Sequence, residues 1–461
     1  MKWMSELFQR KQPELYVLKQ LRIALCLTIG NLTVGYTTGW ATSIIPKLKD
    51  PLQTSLTYLI LDKDGYTMIR VMVFGAILGS LISGFTANRV GRKPCLIFTS
   101  SLNILGYSIM ANAVDVATMS VGRFIAGMAA GSIAVVNVVY LGEIASPEIR
   151  GAILAMGGIM HVFGSLLVCS LGPYVCVGVG CVHVCVLCYV PESPVYQVMK
   201  GKHNEARLTL HDLGKTGNID EELNLICKLS EEALIPKTRD DRGLVKRLLL
   251  KLERKNIRGF FITTVLLCLQ AGGGRVAVVY FATHIFKSSW SSVDPDVGNV
   301  VLGLTELCGV IMTPMLVERC GRRIMLMLSL GFCCLITTVL GTYFYLEVNN
   351  FMIIKSIKWL PIFLLMLFLF SYNFGIGIVP NILSSEMFSA PFRSTCCSIS
   401  MSLAWIVLLY SCNIESIITA IFTDGLFFIC AGANAMGVST IKNKAPICVT
   451  PKAIAVYSTT A

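Results

Sequence analysis

Long apolar runs alternate with short polar connections along the whole chain. A helix needs about 20 apolar residues to cross the hydrocarbon core of a bilayer. Runs of roughly this length lie at 22–45, 67–87, 95–114, 118–141, 151–170, 172–190, 259–284, 297–317, 324–346, 359–383, 395–414 and 417–441. The pattern predicts an all-α polytopic membrane protein with twelve spans, of which the twelfth is doubtful because Gly432, Asn434 and Gly437 interrupt it.

The composition agrees with this prediction. The 461 residues are 54% hydrophobic and 14% charged, whereas a soluble domain carries about 25% charge. The net charge of +12 does not indicate nucleic-acid binding, since positive loops on one side of a membrane give the same balance. The mixed, charged segment from Met1 to Arg22 has no signal-peptide pattern, so we expect the first run to stay in the bilayer.

Lys and Arg are distributed unevenly between the two sides of the predicted membrane protein. One set of connections holds only a few of the 39 Lys and Arg residues, namely Lys47, Lys49, Lys63, Arg70, Lys287, Lys355 and Lys358. Almost all the others lie in the termini and in the opposite connections. Because basic connections stay in the cytoplasm, we expect both termini to be cytoplasmic.

This distribution divides the chain into five parts. The middle segment is rich in both signs of charge and has short amphipathic patterns such as Asp220 to Glu232, so we predict a cytoplasmic helical linker with a solvated surface. The predicted parts are a tail at 1–21, an N-terminal bundle at 22–190, the linker at 191–258, a C-terminal bundle at 259–441 and a second tail at 442–461.

Two charged motifs occur once in each half. The first is an R-x-G-R loop between two apolar runs, at Arg89–Arg92 and at Arg319–Arg322. The second, two runs later, is a Glu followed seven residues on by an Arg, at Glu143–Arg150 and at Glu386–Arg393. The same two motifs in the same order indicate an internal repeat of the kind from which transporters are built.

These motifs, with three further stretches, resemble the sugar porter family of the major facilitator superfamily. The further stretches are Gly122-Arg123, Pro191-Glu192-Ser193-Pro194 and the segment from Gln270 to Tyr280. The resemblance covers about residues 20–435 and is greatest to insect facilitated trehalose and hexose carriers. It implies two six-helix bundles in the plasma membrane that move a sugar by alternating access, without a cofactor.

The resemblance also implies that the charged motifs meet at the cytoplasmic ends of the two bundles. There they would pair while the cavity is open to the outside, and the pairs would break when it opens inward. The expected gating charges are Arg89, Arg92, Arg123, Glu143, Arg150, Glu318, Arg319, Arg322, Glu386 and Arg393. Asn88 replaces an acidic residue of the family and removes one carboxylate from this network. A plainer interpretation is that the charges only set the topology.

A sugar site needs side chains that donate and accept hydrogen bonds, with an aromatic face against the ring. The substrate-binding residues expected from the resemblance are Gln270, Arg275, Tyr280, Glu306, Asn381 and Trp405. Part of the usual lining is altered: Leu269 and Gly158 stand where the family has glutamine, and Asn381 where it has tryptophan. In the tenth run, Gly375, Gly377 and Pro380 are expected to break the helix and allow a gate to move.

Arg275 and Glu306 put opposite charges where the family has neutral asparagines. An unpaired charge near a bilayer centre costs about 2.5–3.5 kcal/mol on insertion scales, so we expect the two to form an ion pair. The helix is expected to be interrupted at Gly272-Gly273-Gly274, just before Arg275. Two uses of the pair remain open: it polarises the cavity for a substrate other than a plain hexose, or it replaces a hydrogen bond between two amides.

Catalysis, metal binding and proton coupling are not expected. Cys181, Cys185 and Cys188 share a helix face with His183 nearby, but no carboxylate accompanies them in that apolar run. No nucleophile elbow or phosphate-binding loop occurs, and His161 has no acid–base partner. Proton-driven relatives place a carboxylate in the first span, where this chain has neither Asp nor Glu.

Two functions therefore remain from the sequence. The first is a facilitative carrier for a hexose, trehalose or a related polyol. The second is a transporter homologue that binds a solute without moving it, either as a sensor or as a degenerate copy.

Overall fold

The computed structural model describes residues 14–52, 54, 56–170, 173–214, 219–234, 254–275, 278, 295–349, 351, 357, 359–421 and 423–443. Within these residues every regular element is a helix. In the first half the helices are α1 Glu14–Leu48, α2 Asp62–Val90, α3 Arg92–Ala111, α4 Val116–Ile144, α5 Arg150–Ser170 and α6 Pro173–Tyr189. Three short helices follow: α7 Pro194–Met199, α8 His203–Asp212 and α9 Ile219–Leu234.

The second half repeats the pattern of long helices. Its elements are α10 Arg254–Gly272, α11 Pro295–Cys320, α12 Arg322–Val348, α13 Leu360–Phe374, α14 Val379–Glu386, α15 Ala390–Ile421 and α16 Thr423–Asn443. Among the described residues, 10 helical segments are long and apolar enough to cross a membrane, and shorter apolar helices lie at Tyr174–Tyr189 and Ile257–Gly272. The doubtful twelfth run is helical, although its mean hydropathy of 1.2 is the lowest of the ten.

The helices form two bundles. In the first, α4 packs against α2 and α3, while α1 packs against α5. Gly127 allows a very close approach of α4 to α2, because a Cβ there would lie 2.1 Å from the carbonyl oxygen of Met72. In the second bundle, α12 packs against α16 and α10 against α15. The bundles meet along α2 with α15 and along α5 with α11.

The tenth predicted run is broken, as expected from its glycines and proline. Helix α13 ends at Phe374 and α14 begins at Val379, and backbone groups freed inside a membrane must find other partners. The Thr313 hydroxyl donates to the Asn373 and Phe374 carbonyls at 3.2 and 3.3 Å. The Ser329 hydroxyl donates to the Ser371 carbonyl at 2.7 Å and accepts from the Ile376 N–H at 3.0 Å.

We predict that Ser329→Ala destabilises the protein, because it leaves two buried backbone groups without partners. The expected loss is about 1–3 kcal/mol in the free energy of unfolding for one such unsatisfied group, measured by denaturant unfolding in detergent. Ser439→Ala is the matched control, since the exposed Ser439 hydroxyl bonds only to Met436 within its own helix. Equal stability of the two variants would contradict the role of Ser329.

Candidate functional site

An ion pair is buried at the end of the first bundle where the R-x-G-R loop lies. Arg92 donates from Nε and Nη2 to the two carboxylate oxygens of Glu143, at 3.0 and 2.9 Å. Both side chains are 0% exposed. Arg92 can fold back because Gly91 takes φ +119 between α2 and α3, which lets Arg92 Nη1 reach the Ala87 carbonyl at 3.2 Å.

Residues after α6 complete this cluster, and the sequence prediction did not assign them a role. The Glu192 carboxylate accepts from the backbone N–H groups of Arg92 and Lys93, at 3.1 and 3.2 Å. Burial raises the pKa of the Glu192 carboxyl above its ordinary value, although these backbone N–H groups oppose the shift. The Arg92 guanidinium also lies 5.1 Å from the ring centroid of Tyr196. The Pro191–Pro194 motif was the sequence signal for this position.

The second bundle has an equivalent cluster. Arg322, the first residue of α12, pairs at 2.9 Å with Glu318, four residues earlier near the end of α11, and at 3.1 Å with Glu386. Arg322 Nη1 also bonds the Val317 carbonyl at 3.3 Å, which is the counterpart of the bond from Arg92 to Ala87. We call the end of the molecule that holds both clusters the charged end.

The remaining arginines of the repeated motifs also lie at the charged end. Arg150 and Arg393 each donate to a carbonyl five residues earlier, that of Ala145 at 3.2 Å and that of Phe388 at 3.3 Å. Arg89 and Arg319 are exposed. The structure therefore places nine of the ten expected gating charges at one end, and the repeat seen in the sequence is a repeat in three dimensions.

The expectation that these ion pairs join the two bundles is wrong for the pairs just described. Each lies within one bundle, because the R-x-G-R loop and its Glu partner belong to the same half. Hydrogen bonds cross between the bundles at this end: Asn88 Nδ2 to Thr395 Oγ1 at 3.3 Å, Arg92 Nη2 to Ser394 Oγ at 3.5 Å, and Gly151 N–H to Glu318 Oε1 at 3.0 Å. Arg150 of the first bundle also interacts electrostatically with Glu318 and Glu386 of the second. These contacts close the charged end.

Arg123 was expected in the same network, and the structure corrects this prediction. It lies twenty residues before Glu143 on α4, about 30 Å along the helix axis. Its side chain is fully buried, stacks on Trp40 at 4.5 Å and donates to the Thr37 carbonyl at 3.0 Å. Because Arg123 lies early in α4 and Glu143 lies near its end, the two side chains are at opposite ends of the helix.

The ion pair expected between Arg275 and Glu306 forms. Arg275 donates from Nε and Nη2 to the two carboxylate oxygens, at 3.2 and 3.0 Å. The Glu306 side chain is 5% exposed and that of Arg275 is 28% exposed. The difference in depth is bridged because α10 ends at Gly272 and Gly274 takes φ +98. Arg275 also interacts electrostatically with His161 of α5, in the other bundle.

Gln270 connects α10 to the broken helix. Its side-chain amide donates to the Gly377 carbonyl in the α13–α14 break, and the Tyr372 hydroxyl donates to the Gln270 carbonyl at 2.7 Å. Tyr280, the other residue expected in this stretch, lies outside the described residues.

Trp405 and Asn381 lie on helices that contact the first bundle. Trp405 packs against α2 in a cluster with Met72, Val73 and Ala76, and α14, which carries Asn381, contacts α4 and α5. The indole Nε1 of Trp405 and the side-chain Oδ1 of Asn381 are buried and have no hydrogen-bond partner among the described residues.

The first bundle contributes a pair of amides that the sequence prediction missed. Asn137 Nδ2 donates to Asn31 Oδ1 at 2.9 Å and to the Leu27 carbonyl at 3.0 Å. Both residues lie inside apolar runs, and a polar side chain in such a run is the sequence signal that could have identified them. The described part of the chain holds no group of three His, Cys, Asp or Glu residues placed to bind a metal ion.

Comparisons with known proteins agree with this architecture. A family profile described as "Sugar (and other) transporter" matches residues 23–450. The chain is 28% identical to a facilitated trehalose transporter of Apis mellifera ligustica, over 86% of this chain and 78% of that one. It is 27% identical to the Bombyx mori protein of the same name, over 91% and 82% of the two chains.

Solved structures show the major facilitator fold. The proton:xylose symporter XylE bound to 6-bromo-6-deoxy-D-glucose aligns with a TM-score of 0.75 at 18% identity, covering 94% of this chain and 96% of that one. The human organic anion transporter MFSD10 aligns with a TM-score of 0.61 at 14% identity, covering 93% and 100%.

We predict that Gly84→Ala opens the charged end. A Cβ at Gly84 in α2 would lie 2.2 Å from Oγ and 2.3 Å from Cβ of Ser398 in α15, across the bundle interface. Overpacking of this kind costs about 1–3 kcal/mol, and here only the closed arrangement bears that cost. Hydrogen–deuterium exchange should rise at the ends of α4 and α14. Gly331→Ala is the control, because its Cβ would meet nothing within 4 Å; the same exchange pattern in both variants would contradict the prediction.

We also predict that Arg275→Ala and Glu306→Ala each lose folded protein, because either change strands a buried charge at a cost of about 3–5 kcal/mol. The exchanged double variant, Arg275→Glu with Glu306→Arg, should recover part of the loss, measured as monodisperse protein after detergent extraction. Lys202→Ala removes the exposed pair with Glu205 and should have little effect. Additive damage in the double variant would show that the two residues act separately.

Proposed function

Because the chain belongs to the sugar (and other) transporter family, we propose that it is a facilitative carrier for trehalose, a hexose or a related polyol. Family membership makes the protein a transporter and not an enzyme. The two relatives described above are named as facilitated trehalose transporters, which supports a sugar as the small-molecule substrate. Solute crosses as the bundles open alternately to the two sides of the bilayer.

The structural observation that supports this proposal is that Trp405 Nε1 and Asn381 Oδ1, on helices that contact the first bundle, have no hydrogen-bond partner among the described residues. Leaving a buried polar group without a partner costs about 1–3 kcal/mol, so Trp405 Nε1 and Asn381 Oδ1 are costly features without a ligand. Sugar hydroxyls both donate and accept and would satisfy both atoms. The Trp405 ring adds an apolar face of the type that sugar rings contact.

We place the charged end in the cytoplasm of a multi-pass plasma-membrane protein, with both termini on the same side. The excess of Lys and Arg in the connections of this end supports that orientation. The proposed divisions are a bundle at 22–190, a cytoplasmic linker at 191–258 and a bundle at 259–441, with tails at 1–21 and 442–461. In this orientation the described structure is closed toward the cytoplasm.

We propose that the charged motifs act as a gate through the groups they position. The pairs Arg92–Glu143 and Arg322–Glu318 stay intact within their bundles. The first pair holds the Arg92 guanidinium against the second bundle, and the second pair holds the Glu318 carboxylate against the first bundle. Opening the charged end must break the long bond to Ser394, the bond to the Gly151 N–H and the bond from Asn88 to Thr395, and must weaken the attraction of Arg150 for Glu318 and Glu386. Hydrogen bonds of this kind contribute about 0.5–3 kcal/mol each, which suits a reversible gate.

We predict that purified protein in proteoliposomes takes up labelled trehalose or glucose with saturable, downhill kinetics. An imposed proton gradient should not drive accumulation, because α1 has no Asp or Glu between Leu21 and Ile45 and its Asn31 bonds the neutral Asn137. Uptake with and without a protonophore measures this.

Two outcomes would contradict parts of this proposal. Sugar accumulation above the external concentration that a protonophore abolishes would refute downhill transport. Stabilisation of the protein by sugar without any flux would replace the carrier with a solute-binding homologue.

A further inference from the structure

The Arg275–Glu306 ion pair is held by two hydrogen bonds. The two N–H···O bonds form a fork in which each carboxylate oxygen accepts one bond. Such a pair is net neutral, because the guanidinium stays protonated in proteins and the carboxylate balances it. The substrate path therefore carries a strong dipole at this point but no free charge.

Glu306 lies deep inside the second bundle. It lies near the middle of α11, about 18 Å along the helix from Glu318 at the charged end, and its side chain is 5% exposed. Arg123 does not neutralise the Glu306 carboxylate, since its buried side chain contacts Trp40 and Thr37 instead. An anionic solute at this depth would have to compete with Glu306 for Arg275.

The pair still offers hydrogen bonds to a neutral solute. A guanidinium has five N–H groups, of which Glu306 takes two. The Arg275 side chain remains 28% exposed. The remaining N–H groups can donate to hydroxyl, ring or glycosidic oxygens, so the ion pair takes over the donor function of the amides it replaces.

We infer that Glu306 is the charge selector of the substrate path: by neutralising Arg275 it limits the carrier to uncharged polyhydroxyl solutes and excludes hexuronates. This inference rests on the proposed sugar-carrier function and names its substrate class more narrowly. Of the two uses that the sequence analysis left open, it favours the second: the pair takes the place of two amides and does not require a charged substrate.

The test measures binding of D-glucose, trehalose and D-glucuronate to the full-length protein in detergent, by ligand-dependent thermal stabilisation. Wild-type protein should be stabilised by a neutral sugar and not by glucuronate. In Glu306→Gln the carboxylate of glucuronate can take the place of the missing side chain against Arg275. The ratio of glucuronate to neutral-sugar affinity should rise at least about tenfold, the effect expected of a charge-assisted hydrogen bond.

Two further variants control the result. Glu386→Gln also removes a carboxylate from an arginine, Arg322, but at the charged end, and it should gain no glucuronate binding. Arg275→Gln leaves Glu306 without its cation and should instead favour protonated D-glucosamine over glucose. Arg275→Gln decides the question if Glu306→Gln does not accumulate as folded protein.

The inference is overturned if folded Glu306→Gln shows no gain for glucuronate, or if wild-type protein binds glucuronate as tightly as a neutral sugar. Failure of the proposed function looks different: wild-type protein would bind and move none of the neutral sugars. A gain of glucuronate binding by Glu306→Gln in that case still supports the selector role of Glu306.

Discussion

Each charged side chain buried in this structure needs a partner that neutralises it, and the arrangement of the bundles follows from that need. A charge placed in a low-dielectric interior is costly unless an opposite charge and hydrogen bonds accompany it. Arg92 with Glu143, Arg322 with two glutamates and Arg275 with Glu306 each meet that requirement. Arg123 meets it only in part: it has a carbonyl oxygen and the face of Trp40, but its buried Nε and Nη2 have no hydrogen-bond partner among the described residues.

The same constraint explains how the molecule can be stable and still move. Strong pairs lie inside each bundle, where their partners need not separate, and weaker contacts lie between the bundles. Asn88 illustrates the division, because the neutral amide that replaces the acidic residue of the family makes a single bond of 3.3 Å to Thr395 across the interface. Rigid bundles joined by weak contacts are suited to rocking about a central site.

Broken helices give the second bundle its polar interior. The breaks at Gly273-Gly274 and between Phe374 and Val379 free backbone groups that side chains of neighbouring helices satisfy. Gln270 and Tyr372 link the two breaks to each other, and the first break brings Arg275 to Glu306. Gln270, which was expected to bind substrate, therefore also holds the interrupted helices together.

The class of protein, the spans, the repeat and the helix breaks could be predicted from the sequence, because hydropathy, paired motifs and Gly or Pro act locally. It also predicted the Arg275–Glu306 pair, since two opposite charges in apolar runs are costly unless they neutralise each other. The partners of the gating charges, the separation of Arg123 from them, and the contacts of Glu192 and Tyr196 with Arg92 became apparent from the three-dimensional structure. Those outcomes depend on helix direction and on packing between segments distant in sequence, which no local pattern encodes.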